Sequence, residues 1–282
     1  LKKEFEKDDS ALLLSAGDFY AKSGILAMYR GRFLADMMVK MGYCAVGIGE
    51  NELNYQLRAI REGIEKGLPV ICSNLYDNGE CVFPPYLIKE VHGNRVGIFA
   101  LLNEPLPHGL DLQLRSPTSR SKVVINELKE KKCDIIILIA HMGSDKLNEI
   151  MPFLDGVDII IRGHAKLNTV VSESCMDKSI KVPDDLDIPV LFAGDMGRAI
   201  GKVVIEPRDS SGYVISNSTV IHLKKSSDKD QQFEKYLREY FEMEGKKLHE
   251  ASMKKLVSHD KHGNLRERYL GVDICARCHS DI

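Results

Sequence analysis

Four apolar runs in this sequence each stop at a side chain able to bind a metal ion. Residues 11–17 (ALLLSAG) lead to Asp18 and residues 44–49 (CAVGIG) to Glu50. Residues 134–140 (DIIILIA) lead to His141 and residues 157–163 (VDIIIRG) to His164. Three of the four follow a glycine, which lets backbone pack closely around a site. Two carboxylates and two imidazoles form a mixed O/N donor set suited to Mn, Fe or Zn. Taken singly, each is an ordinary solvated strand-end residue. The same placement four times over points to a shared site. A second group lies near the end of the chain. Cys275, Cys278 and His279 have the C-x-x-C-H spacing of c-type haem attachment. There the two sulfurs form thioethers with the haem vinyl groups and the adjacent imidazole reaches the iron. The same pair is also readable as a redox dithiol or half of a zinc site. Neither a second cysteine pair at zinc spacing nor a βαβ context accompanies it.

The elements that must position these residues follow from the hydrophobic pattern. Residues 11–16, 44–48, 70–73, 134–140 and 157–161 read as short buried strands, and 189–193, 199–205 and 213–222 as closing strands. Residues 86–91 and 96–102, joined by His-Gly-Asn, read as a hairpin. Apolar residues at helical spacing predict helices over 24–41, 53–66, 117–132 and 147–154, with Gly67 closing the second. The methionines of the first helix, Met28, Met37 and Met38, read as core packing. Parallel βα units mixed with hairpin-like strands predict a layered α/β domain with helices over the sheet faces. In such a domain the carboxyl ends of parallel strands gather along one edge, where sites form. Residues 226–229 are a polar break. Residues 230–256 read as one long charged helix with Phe233, Leu237, Tyr240, Phe241 and Leu248 on one face.

Composition bounds the function. The 282 residues allow one large domain or two modest ones, and 44% hydrophobic with 28% charged residues is ordinary for a globular protein. The formal net charge of −2 offers no basic field for nucleic acid and no polybasic face for a membrane. No apolar run is long enough for a transmembrane segment. The seven cysteines are odd in number and scattered, so no disulfide framework is expected. Cys44, Cys72 and Cys133 read as core residues, Cys81 and Cys175 sit in polar stretches, and a Cys72–Cys81 bridge stays open. Residue 1 is Leu and no signal peptide is visible, so a preceding segment is expected to have been removed or omitted.

The order Gly17-Asp18, then Gly49-Glu50-Asn51-Glu52, then His141-Met142-Gly143, then Gly163-His164-Ala165-Lys166 resembles the calcineurin-like metallophosphoesterases. Within that group it is most similar to the catalytic domain of the 5′-nucleotidase and UDP-sugar hydrolase branch. The resemblance runs from residue 1 to about residue 225, with weaker echoes at Ser73-Asn74-Leu75 and at 192–201. It implies a ββ sandwich flanked by helices and a two-metal centre that hydrolyses phosphate esters. It also implies metal ligation by Asp18, Glu50, His141 and His164. Three departures accompany it. The family's Asp-x-His pair ahead of Gly-Asp is not among the ten residues before Ala11. The family's catalytic His stands here as Asn51, which is no general acid near neutral pH. Lys166 replaces a ligand of the first metal, and an ammonium is no ligand. The expectation is therefore an altered, mononuclear centre with weak phosphomonoesterase activity. Its partner is a phosphate ester or anionic ligand, and Asn51 and Lys166 are the altered catalytic positions. Nothing after residue 225 resembles the branch's base-clamping domain, so nucleotide specificity is not expected.

Tyr269, Gly271 and the Cys275–His279 motif together resemble the opening of multihaem cytochrome c domains. That resemblance implies haem c, redox partner cytochromes, and a periplasmic or extracellular protein continuing past residue 282. His249, His259 and His262 are candidate distal ligands, each equally readable as a surface histidine. The expected organisation is a metallophosphoesterase-like domain over 1–225, a helical linker over 226–268 and the start of a c-type cytochrome segment over 269–282. Two functions compete. One is a metal-dependent phosphoesterase joined to a cytochrome. The other is a weak or inactive phosphoesterase-fold scaffold in an electron-transfer protein.

Overall fold

The structure, a computed structural model, describes residues 10–20, 32–54, 57–164, 173–194, 197–207, 212–223, 230–259 and 265–267. The chain divides into two units, Leu1–Lys225 and Ser226–Ile282. In chain order the first unit runs β1 (Leu14–Ser15), α1 (Arg32–Met41), β2 (Ala45–Val46), α2 (Glu50–Asn54) and α3 (Leu57–Glu65). It continues with β3 (Leu75–Asp77), β4 (Glu80–Cys81), β5 (Tyr86–Val91), β6 (Asn94–Leu102), β7 (Gln113–Leu114), α4 (Pro117–Glu130) and β8 (Ile135–His141). It closes with α5 (Ser144–Ile150), β9 (Ile159–Gly163), β10 (Val190–Leu191), β11 (Ala199–Pro207) and β12 (Tyr213–His222).

Strand periodicity sorts the apolar side chains into layers. The main sheet has the order β10-β9-β8-β6-β5, parallel except for the β5–β6 hairpin. On one of its faces Ile98, Ala100, Ile137 and Ile139 meet Leu14, Ala16, Ala45 and Ile71 of a smaller parallel sheet, in which β1 pairs with β2. On the opposite face Phe99, Leu101, Leu138 and Ala140 pack on Val124, Ile125 and Leu128 of α4 and on Leu147 and Ile150 of α5. The far face of the smaller sheet, Val46 and Ile48, packs on Ala35 and Met38 of α1 and Ile60 of α3. Helices, two sheets and helices therefore stack in sequence, as the layered reading expects. The β11–β12 ribbon closes the inter-sheet core with Val203, Ile205, Ile215 and Val220. All seven residues of β8 are buried, and each of its isoleucine and leucine side chains contributes about 1.5–3 kcal/mol.

Several elements differ from the sequence expectation. The strand expected over 70–73 shrinks to a single bridge between Val46 and Val70. Beyond it, side chains replace the ladder. Asn74 Nδ2 donates to the carbonyls of Leu102 (2.7 Å) and Arg115 (3.0 Å), while its Oδ1 accepts the Leu102 N–H (2.9 Å). The chain then enters a small antiparallel sheet, β4-β3-β7, that no periodicity announces. The helix expected over 53–66 is described over Glu50–Asn54 and Leu57–Glu65, and it starts earlier, at Glu50. Gly49 N–H donates to the Glu52 carboxylate at 2.7 Å, the reach-back bond of a capping box that starts the helix there.

Of the expected core cysteines Cys72 is buried, whereas Cys44 and Cys133 are only partly so. Cys72 and Cys81 are both free. Cys175, in a polar stretch by sequence, is buried in the inter-sheet core with its sulfur 3.1 Å from Ser218 Oγ. Met37 and Met38 are buried, as the core reading expects, and Met28 lies outside the described residues. In the second unit the described residues form a helix, α6 (Gln231–Leu256), and an antiparallel pair, β13 (Val257–His259) with β14 (Leu265–Glu267). Among the described residues no helix is long and apolar enough to cross a membrane.

Candidate metal centre

His141 is the innermost residue of the site, and its position follows from register. Ile135, Ile137 and Ile139 face the inter-sheet core. The period of two puts His141 on the same face, at the carboxyl end of β8. Its Nδ1–H donates to the Ala16 carbonyl at 2.6 Å, just past the end of β1. That bond turns Nε2 toward the two carboxylates, 3.1 Å from Glu50 Oε2 and 3.7 Å from Asp18 Oδ2. The ring fits because the facing residue has no side chain: a Cβ on Gly49 would lie 2.5 Å from His141 Nε2. Burial opposes a charged His141. The hydrogen bond to Glu50, the Asp18 charge and the Ala16 carbonyl more than offset this and raise its pKa.

Asp18 reaches the site through a left-handed turn. Gly17 (φ 86°) and Asp18 (φ 55°) both lie at positive φ, which swings the chain off β1. Asp18 Oδ1 accepts the Asn51 N–H at 2.9 Å, and its own N–H donates to Glu52 Oε2 at 2.8 Å. Burial raises the Asp18 pKa, while the His141 charge pulls the other way. Glu50 opens α2 with Oε2 between the rings, 3.1 Å from His141 Nε2 and 3.4 Å from His164 Nδ1. Hydrogen bonds to His141 and His164 hold this carboxyl well below the usual carboxylate range.

His164 follows β9 and also sits at positive φ (52°). Its carbonyl accepts from Arg162 Nη1 at 3.3 Å. Arg162 is in turn held by Asp177, whose Oδ2 lies 2.6 Å from both Nε and Nη2. The His164 and His141 rings meet edge to face with centroids 5.3 Å apart. The hydrogen bond to Glu50 raises the His164 pKa against the cost of burial.

The four side chains expected at the strand ends are thus brought together. One ligand atom from each of Asp18, Glu50, His141 and His164 lies within 4.8 Å of the others. Two hard carboxylate oxygens and two imidazole nitrogens, with the outer nitrogen of His141 already committed, suit a divalent ion. Asn51 lies beside them. Its N–H is spent on Asp18, while its side-chain oxygen is buried and has no hydrogen-bond partner among the described residues. Lys166, and likewise Cys275, Cys278 and His279, lie outside the described residues.

Two residues of the site carry no role in the sequence reading. Glu52 is fully buried and accepts the backbone N–H groups of Asp18, Tyr20 and Gly49 at 2.7–2.8 Å, tying the two ligand-bearing loops to one carboxylate. Burial pushes its carboxyl up to about 7 against these three donors. The visible signal is its spacing three residues after Gly49. Glu104 follows β6 and approaches His164 from its other edge, 3.6 Å from Nε2. Its signal is a fifth strand end, obscured by the intervening Asn103.

Protein-family models give no match to the chain. Among curated proteins it is similar to the snake venom 5′-nucleotidase of Gloydius brevicauda. The identity is 25% over 240 residues, covering 78% of this chain and 41% of that protein. Among solved structures it resembles a 5′-nucleotidase precursor from Thermus thermophilus. There the TM-score is 0.73 at 20% identity, covering 86% of this chain and 51% of the other. It also resembles a calcineurin-like phosphoesterase from Bacillus subtilis, with a TM-score of 0.61, 20% identity and 78% of each chain covered. The chain spans less than half the length of the curated relatives it matches. Together these similarities support a calcineurin-like metallophosphoesterase domain of 5′-nucleotidase type.

Proposed function

We propose that residues 1–225 are a metal-dependent phosphoesterase domain in which Asp18, Glu50, His141 and His164 hold one divalent ion, Mn, Fe or Zn. The observation that carries this reading is the convergence of their ligand atoms to within 4.8 Å at the ends of four strands. A bound ion of this kind polarises a phosphoryl oxygen and lowers the pKa of a bound water. The chain's own residues set the limits of the activity. Asp18 and Glu50 supply the negative charge that retains a cation, and the Ala16 carbonyl keeps His141 Nε2 aimed at it. Asn51 offers an amide where the resemblance places an acid, so no side chain there protonates a leaving alkoxide at neutral pH. Lys166 replaces a ligand and adds a positive charge two residues beyond His164, which suits a phosphate ester or another anion. Weak turnover follows. Metal content and p-nitrophenyl phosphate hydrolysis on one preparation test the reading. One tightly bound ion with slow hydrolysis is expected. Protein that binds no divalent ion, or that binds two and hydrolyses robustly, overturns it.

A second reading rests on the C-x-x-C-H spacing of Cys275, Cys278 and His279. In it the chain continues into a c-type cytochrome that exchanges electrons with redox partners, and residues 1–225 are its weak or inactive phosphoesterase-fold scaffold. Residues 226–268 are then a linker, helical over Gln231–Leu256 and ending in the β13–β14 pair rather than helical throughout, and 269–282 the start of the cytochrome segment. Covalent haem places the protein in the periplasm or outside the cell. Protein made in a host with haem-c maturation should keep its haem absorption through acidified-acetone extraction. A mass equal to the bare polypeptide sinks this second reading.

A further inference from the structure

We propose that Glu104 is a positioning residue of the metal centre. It takes the Nε2–H of His164 and so keeps Nδ1 turned toward Asp18, Glu50 and His141. The inference rests on the metal-centre reading above and deepens it. His164 lies between two carboxylates. Its Nδ1 is 3.4 Å from Glu50 Oε2, inside the cluster, and its Nε2 is 3.6 Å from Glu104 Oε2, outside it. Glu104 arrives there by register. Beyond the last β6–β8 pair, Leu102 with His141, the Asn103 N–H donates to the His141 carbonyl at 3.1 Å. That bond extends the pairing past the strand end and delivers the next residue beside the site. The Glu104 side chain is only 16% exposed, and its Oε1 accepts the Gly143 N–H at 3.3 Å. A carboxylate withdrawn from water needs compensating partners, and among the described residues the outer nitrogen of His164 joins the Gly143 N–H beside it.

The neighbouring strand supplies the internal comparison. His141 has its outer nitrogen committed to the Ala16 carbonyl and its inner nitrogen facing the carboxylates. Glu104 plays for His164 the part that Ala16 plays for His141, and such outer partners fix the tautomer and orientation of a ligating imidazole. The contact is at ion-pair rather than hydrogen-bond distance.

The rival is a purely structural Glu104, which through Gly143 caps the N-terminus of α5. A double-mutant cycle separates the two, with Zn²⁺ or Mn²⁺ alone titrated into the full chain by calorimetry. Removal of outer partners typically costs about 10–100-fold in metal affinity. Glu104→Ala should weaken binding by that factor, and Glu104→Gln by less, because its amide oxygen still accepts from Nε2–H. In a His164→Ala background, Glu104→Ala should have no further effect. Nitrogen-15 chemical shifts of the His164 ring in metal-free protein should show Nε2 protonated in the wild type, with a mixture of tautomers in Glu104→Ala. Wild-type affinity and tautomer in both single variants, whether or not thermal stability falls, would leave only the cap and overturn the proposal. An equal loss in the His164→Ala background would also overturn it, since Glu104 would then act without His164. Wild-type protein that binds neither ion would remove the metal-centre reading itself and this inference with it.

Discussion

The ends of β8 and β9 each deliver one imidazole to the same cluster, under opposite constraints. His141 is 1% exposed, its ring hydrogen-bonded at 2.6 Å to a backbone carbonyl, with a glycine where any side chain would strike it. His164 is 33% exposed, sits at positive φ, and finds its outer carboxylate at 3.6 Å. The β8 end is shaped by the core, so its ligand is held by packing and by the Ala16 carbonyl. The β9 end is held by polar contacts, the Arg162–Asp177 pair and Glu104, which leave room for adjustment. The lesson concerns where a site of this kind tolerates change. The core-built half should fail sharply when altered, while the half built on polar contacts leads into Lys166, one departure from the resembled family; another, Asn51, stands in α2 beside Glu50.

The largest effect should come from the two altered positions, one after β2 and one after β9. Asn51→His combined with Lys166→His should raise phosphomonoesterase turnover by about 10²–10⁴-fold, the range of a general acid–base group. Unchanged turnover in a folded, metal-loaded variant would mean that these two substitutions do not limit the activity. Next is the rigid half. Gly49→Ala drives a Cβ into the space of His141 Nε2, whereas a Cβ on Gly143 meets nothing within 4 Å. The first substitution should abolish metal binding and cost about 1–3 kcal/mol of stability by overpacking. The second should leave calorimetric metal affinity intact. Equal effects from both would erase the contrast.

A smaller loss is expected from Glu52→Gln. An amide puts an NH₂ group against one of the backbone donors that Glu52 now accepts, leaving buried groups unpaired at about 1–3 kcal/mol. Chemical denaturation measures it, and a neutral result would show that the loops of Asp18 and Asn51 do not depend on that carboxylate. The smallest effect concerns the β9 end and pH. Burial raises the Asp177 carboxyl, but the Ser179 hydrogen bond and the Arg162 guanidinium outweigh it and leave the pKa below the ordinary value of 3.8. A carboxylate lowered on folding adds stability at pH values above its unfolded pKa, and that stability is lost as pH falls through the folded value. Asp177→Asn should therefore flatten the acid limb of the stability curve below about pH 4. An unchanged acid limb would show that the pair does not brace β9.

How much was legible in the sequence differs by residue. Asp18, Glu50, His141 and His164 stand where an apolar run stops, and a strand end is readable because burial and solvent demand different residue types. Glu52 is two residues from Glu50 and equally polar on paper. Its burial under three backbone donors depends on Gly49 starting a helix, which the apolar periodicity places several residues later. Glu104 depends on the parallel register of β6 against β8, a pairing between segments separated by the whole of α4. The β4-β3-β7 sheet is built from strands of two or three residues, too short for any period to appear. Cys175 shows the same limit from the other side. Its sequence neighbours are polar, yet the β11–β12 ribbon covers it.

The sequence by itself therefore determined the alternation of strands and helices, the four ligand-type side chains at strand ends, and the substitution of Asn51 and Lys166 for groups the resembled family uses. These depend on residue type and on the local periods of helix and strand, which a linear string carries. Tertiary structure alone decided which ring nitrogen of each histidine faces inward, that Glu52 is buried under three backbone donors, and that Glu104 stands behind His164. Those outcomes depend on distances between segments far apart in the chain, set by sheet register and by which backbone groups remain unpaired when the layers close.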